Sequence, residues 1–173
     1  AAWALLSKLY LNAEVYVGTP KYTECITECK KVIGAGYELE PVYANLFKAD
    51  NYKSKEIIFP MVFDKNNMQT WGGMMFLMCA AVNGDIRPLI AAPGGWGGNH
   101  ATKNVLDRFA GVENMDDRCD VLYTGFNSIE MKDPDEYKQG VQVIKYSNYN
   151  SDGTDAGGSY PDTDFPLFRL GDV

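Results

Sequence analysis

From Trp3, "WALLSKLYLNAEVY" repeats apolar side chains at intervals of three and four, with Leu6, Leu9 and Tyr10 on one side, and so predicts a helix. Pro20 suits the first turn of a second helix. In that helix "KYTECITECKKVIGAG" turns Tyr22, Cys25, Ile26, Cys29 and either Val32 or Ile33 inward, and Gly34 and Gly36 end it. The two predict a helical hairpin over residues 1–36. Trp3, Leu6 and Tyr10, with Ser7 where glycine is usual, follow the spacing that opens a tetratricopeptide repeat, whose leading ring fills the groove between paired helices. A single repeat cannot bury its own face, so the pattern implies neighbours, yet no second copy occurs downstream.

The remaining pattern is weaker. "KEIIFPMVFD" predicts a buried strand that Pro60 pushes toward a sheet edge. "MMFLMCAAV" is apolar without clear alternation and predicts a strand or irregular core. "NHATKNVLDRFAG" predicts a helix with Asn99 as N-cap, Val105, Leu106 and Phe109 as its buried side, and Gly111 as its stop. Residues 133–164 are polar and turn-rich apart from "VQVIKY", a short alternating strand, and "NSDGTDAGGSYPDTD" is loop. The expected fold is mainly α: one domain in which a tetratricopeptide-like hairpin (1–36) supports a loop-rich region (37–173) with a few short strands. "AAWALL" opens with a helix under way and "FPLFRLGDV" closes on uncapped apolar residues, so the chain is expected to be a piece of a longer protein.

Composition narrows the function. A chain of 173 residues, 46% hydrophobic, can bury one core. Its 16 basic against 23 acidic side chains, a net charge of -7, oppose binding to a phosphate backbone and exclude nucleic acid as the expected partner. No run reaches the ~18–20 apolar residues of a membrane-spanning helix. Cys25, Cys29, Cys79 and Cys119 are sparse for a disulfide scaffold. Zinc at Cys25 and Cys29 would need two further ligands in a chain whose only histidine is His100.

The unusual chemistry lies in two tryptophans on glycine-flanked loops, "GGWGGN" around Trp96 and "TWGGM", in which Trp71 precedes Gly72 and Gly73. Glycine admits positive φ and close backbone approach, which can hold a ring out on a turn. Two such rings would offer an aromatic platform to a pyranose, whose axial C–H groups meet the indole face while Asn66, Asn67, Gln69, Asn99 and His100 serve the hydroxyls. Against this stands the ordinary burial of tryptophan, with glycines that merely permit tight turns. The run lacks the spacing of a phosphate-binding loop. Glu113, Asp116 and Asp117 are acids without a catalytic constellation. Oxygen pairs at Asn67 and Gln69 and at Asp162 and Asp164 have a spacing that calcium could use, although solvated turns have it too.

Together, "AAWALLSKLYLNAEVY", "YTECITECKKVIGAGYELEPVYANLFKADN", "SKEIIFPMVFD", "NHATKNVLDRFAG" with Asp117 and Arg118 after it, and "DFPLFRLGDV" resemble, in their order and spacing, the SusD/RagB-type outer-membrane glycan-binding lipoproteins of Bacteroidota. That resemblance implies tetratricopeptide-like helix pairs under a loop-rich ligand face. It also implies no catalytic activity, a place at the cell surface on the outer membrane, and a TonB-dependent transporter as partner in oligosaccharide import. Trp71 and Trp96 carry over as sugar platforms; Asn99, close to Trp96 in sequence, is expected to hydrogen-bond a hydroxyl, and starch or another α-glucan is the specific expectation. Asn67, Gln69, Asp162 and Asp164 carry over as a calcium site. The rival expectation is a tetratricopeptide-type protein-interaction scaffold that binds no glycan.

Overall fold

The computed structural model describes residues 1–111, 116–125 and 128–173. In chain order its regular elements are α1 (Ala2–Leu11), α2 (Ala13–Val17), α3 (Tyr22–Ile33), β1 (Ile57–Met61), α4 (Met74–Cys79), α5 (Lys103–Leu106), β2 (Leu122–Tyr123), β3 (Gln142–Val143) and β4 (Phe165–Arg169), linked by short 3-10 turns. They fall into two compact units that interleave in sequence and do not part at residue 36. The first holds residues 1–41, 52–61 and 165–173, and the second holds 42–51 and 62–164.

In the first unit α1 packs on α3, as a hairpin should. Asn12 interrupts the opening helix by turning its side-chain amide onto the carbonyl of Lys8 at 2.9 Å, a local bond that competes with the helical ladder. The buried stripe differs from the expected one. It consists of Ala4, Ser7 and Ala13 facing inward from the first two helices and Cys25, Glu28 and Val32 from α3. Leu6, Leu9, Tyr22, Ile26 and Ile33 are exposed, and so is Trp3, which therefore fills no groove between these helices. Apolar residues occupy so many positions here that periodicity could not select a face, whereas close helix contact favours the small ones. Pro20 lies just ahead of α3, whose N-cap is Lys21.

β1 pairs antiparallel with β4 in a two-stranded sheet where Pro60 faces Pro166, so neither strand needs an amide donor there. The strand is half-exposed, not buried, because only one partner covers it. Its approach is fixed by Glu56, a buried carboxylate that accepts from the Glu40 backbone N–H at 2.7 Å and from Arg169 at 3.1 Å.

The second unit gathers its core around Leu46, Phe47, Met74, Met78, Val82, Ile90 and Val141. Buried Asn51 closes its two ends together: its amide donates to the carbonyls of Leu46 at 2.8 Å and Asp164 at 2.9 Å, and its oxygen accepts from the Asp164 N–H at 3.2 Å. "MMFLMC" is a helix, not a strand. Met74, Met75, Met78 and Cys79 are buried at helical spacing, and unbranched side chains carry no penalty there. The helix near residue 103 starts after Thr102, so Asn99 is not its N-cap, and none of Val105, Leu106 or Phe109 is buried. Of "VQVIKY" only Gln142 and Val143 form regular strand, paired with Tyr123 and Leu122.

Candidate carbohydrate-binding surface

Both tryptophans lie in the second unit and are set by α4 and the turn that follows it. Trp71 precedes Gly73, whose φ of +57° starts α4 and where a Cβ would lie 2.5 Å from the Phe63 ring. With Met74, Met75, Met78 and Cys79 facing the core, Phe76 and Leu77 are left on the open side of the helix.

The glycines around Trp96 have distinct tasks. Backbone amides of Trp96, Gly97 and Asn99 donate to the carbonyls of Cys79 (2.8 Å), Val82 (2.9 Å) and Ala80 (2.8 Å), laying the loop along the chain that leaves α4. Any Cβ on Gly95 would come within 2.7 Å of the Asn83 carbonyl carbon and 2.9 Å of the Gly84 nitrogen. Gly97 takes φ +64°, which disfavours a side chain for a separate reason. The loop thus lies on neighbouring backbone, and the indole projects from it.

Four rings follow one another on this surface. Tyr160 and Trp71 have centroids 5.7 Å apart with planes at 60°, Trp71 and Trp96 are 6.3 Å apart at 40°, and Trp96 and Phe76 are 6.3 Å apart at 53°. Trp71 is 66% exposed, Trp96 44% and Phe76 46%. Rings in mutual contact and tilted, three of them open to water, form an apolar strip. Neither Tyr160 nor Phe76 stood out in sequence. Tyr160 had a signal, since "GGSY" also places an aromatic just after paired glycines, and Phe76 had one only once α4 was known to be helical.

Asn99 is exposed, on the same loop as Trp96. With His100, Leu77, Ala81 and Tyr146 it lines a cavity of about 260 Å³. His100 Nε2 lies 3.1 Å from the Gly97 carbonyl, which can only accept, so this nitrogen carries the proton.

The oxygen pairs expected to hold calcium are each engaged in bonds of their own. Asp162 Oδ1 accepts from the Lys65 backbone N–H at 2.9 Å, and its Oδ2 is 3.0 Å from the Lys65 ammonium. Asp164 Oδ1 accepts from the Phe63 N–H at 2.9 Å, and its burial, together with the Asp162 charge, raises its pKa. Asn67 donates its side-chain amide to Asp64 at 2.8 Å, and Gln69 donates to the Lys65 carbonyl at 3.4 Å. Among the described residues no three acids, histidines or cysteines gather around a common point. The set does not fit a calcium ion, because the Lys65 ammonium already occupies Asp162 and the other members are bonded elsewhere.

The acids near residue 116 are arranged for structure. Asp116 accepts from Arg118 Nε at 2.8 Å and Nη2 at 2.5 Å, and this bonding holds its carboxyl down at about 2, too acidic to donate a proton near neutrality. Glu113 lies outside the described residues. Cys25 and Cys29 have sulfurs 4.0 Å apart and are free thiols.

No family model matches the chain. Starch-binding protein SusD of Bacteroides thetaiotaomicron is 29% identical over 221 residues, a match that covers all of this chain and 40% of that protein. The chain thus spans well under half the length of this relative. The match runs from the first residue of this chain to its last, so the chain is similar to that protein over its whole length.

Proposed function

We propose that this chain forms the glycan-contacting part of a non-catalytic binding protein, with Trp71 and Trp96 stacking on sugar rings, Tyr160 and Phe76 extending the strip, and Asn99 hydrogen-bonding a hydroxyl. The observation that carries this reading is the run of adjoining rings from half-buried Tyr160 through solvent-open Trp71 to solvent-open Trp96. Apolar side chains exposed side by side are costly unless something covers them in use. Successive tilts of 40–60° favour a glycan that curves, such as starch or another α-glucan, over a flat ribbon that needs nearly coplanar rings. The relative's name, a starch-binding protein, points the same way.

The setting we infer is the cell surface, where an outer-membrane lipoprotein passes captured oligosaccharide to a TonB-dependent transporter. No helix among the described residues is long and apolar enough to cross a membrane. The test is native electrophoresis in gels containing starch. The chain should be retarded and Trp96→Ala should migrate freely with an unchanged circular dichroism spectrum. Retardation that survives removal of both tryptophans would refute the assignment of the site.

A further inference from the structure

The elbow where residues 63–69 meet 156–164 is built around a cation that the chain itself supplies. The Lys65 ammonium pairs with Asp162 Oδ2 at 3.0 Å and also donates to the carbonyl of Ala156. From the same residue the backbone N–H reaches Asp162 Oδ1 at 2.9 Å. Asp162 is braced from behind, its N–H donating to Asn148 Oδ1 at 3.0 Å, while the Asn148 amide donates to the Gly157 carbonyl at 3.3 Å. The lysine stem runs beneath Gly158, where a Cβ would lie 3.0 Å from its Cδ. Between the two points that Lys65 clasps, Ala156 and Asp162, the chain carries Tyr160 against Trp71.

We propose that Lys65 is the resident counter-ion of this elbow, standing where a divalent cation was expected, and that by clasping the loop it positions Tyr160 against Trp71 for stacking on sugar. The second half rests on the glycan-binding reading, and the first does not. Calcium needs about six to eight oxygens around it, whereas an ammonium is satisfied by about three acceptors, and Lys65 has acceptors on both sides of the loop. Lysine and aspartate are each about three-quarters buried, side-chain exposures being 28% and 27%, so the pair is screened less than a surface pair would be. A metal approaching Asp162 would meet a like charge already in place. Lys65 is a positioning residue here: its contacts are to the loop, and the loop holds the ring.

Thermal melting of the chain in millimolar calcium chloride and in excess chelator separates the two kinds of cation. The expected result is a single melting temperature in both, with no sensitised luminescence from added terbium. A calcium-dependent rise in melting temperature would overturn the proposal. Lys65→Met should melt several degrees lower and Lys65→Arg should recover most of that loss, whereas a Lys65→Met chain as stable as the parent would again overturn it. Should Lys65→Met not fold, Asp162→Asn, which keeps an acceptor for the Lys65 N–H but drops the charge, is expected to show the lower melting temperature, and an unchanged one counts against the clasp. For positioning, retardation by starch should fall equally in Lys65→Met and Tyr160→Ala and no further in the double variant. A loss in Tyr160→Ala alone would remove the positioning role. Starch binding insensitive to Trp71 and Trp96 would refute the glycan reading and leave the melting and terbium results to decide the counter-ion by themselves.

Discussion

Trp71 and Trp96 stand 6.3 Å apart between ring centres with their planes inclined at 40°, and both are open to solvent. A sugar chain laid across one ring therefore reaches the other, so their contributions should couple. Each single change to alanine is expected to weaken starch binding by about 10- to 100-fold, from the ~1.5–3 kcal/mol that covering a large apolar side chain provides. The double variant should lose less than the sum, because the second contact depends on the first. Isothermal titration with a maltooligosaccharide measures all three. Melting temperatures should hardly move, since neither ring is part of the core.

Gly95 and Gly98 flank the same indole and should respond in opposite ways. A methyl group on Gly95 meets backbone atoms of Asn83 and Gly84 inside 3 Å, whereas one on Gly98 meets nothing within 4 Å. Gly95→Ala is expected to cost about 1–3 kcal/mol through overpacking and to impair binding by lifting the loop. Gly98→Ala should be neutral or slightly stabilising. Chemical denaturation of both variants checks the contrast, and equal effects would show that the loop is not seated on the 79–84 chain.

Asp164 should make stability depend on pH. Burial raises its pKa in the folded chain above the unfolded value of about 3.9, so the native state holds the proton more tightly. Its contribution favours folding below the unfolded pKa and is lost as pH rises through the window up to the raised folded value. Asp164→Asn keeps an oxygen for the Phe63 N–H and removes the buried charge, so at neutral pH it should be at least as stable as the parent, with that part of the pH slope gone. Asp164→Ala leaves the amide unpartnered and should cost about 1–3 kcal/mol. Melting curves across acidic pH distinguish the two.

Asp116 and Arg118 give a local titration to follow. Arg118 holds the Asp116 carboxyl at about 2. Replacing Arg118 with alanine should return that carboxyl toward the ordinary value of about 3.9, observable by carbon-detected magnetic resonance, while starch binding stays unchanged. A loss of binding would draw this turn into the site, contrary to its bonding.

The parts of the fold legible beforehand were those in which the local pattern had one solution. The hairpin, Pro60 in a strand without inner neighbours and the loop at 150–164 belong here. α4 was misread because a nine-residue apolar run hides its period, and only burial of Met74, Met75, Met78 and Cys79 reveals it. The inward face of α1 was misread for the opposite reason: large apolar residues outnumbered the small ones that make the contact. At the candidate site, paired glycines pointed to Trp71 and Trp96, but their meeting with Tyr160 and Phe76 depends on bonds between segments distant in sequence, such as Lys65 to Asp162 and the Trp96 N–H to the Cys79 carbonyl. The spacing at Asp162 and Asp164 indicated oxygens near a cation, and nothing in spacing distinguishes a metal from the ammonium of Lys65.

The glycine-built mount beneath Trp96 separates what the ring touches from what keeps it in place. Because the seat is made by main-chain atoms, the ring becomes an interchangeable tip: tyrosine, phenylalanine or histidine could replace the indole and retune sugar preference without reworking the scaffold. On the proposed reading, diversification of glycan specificity is open at position 96 and closed at position 95.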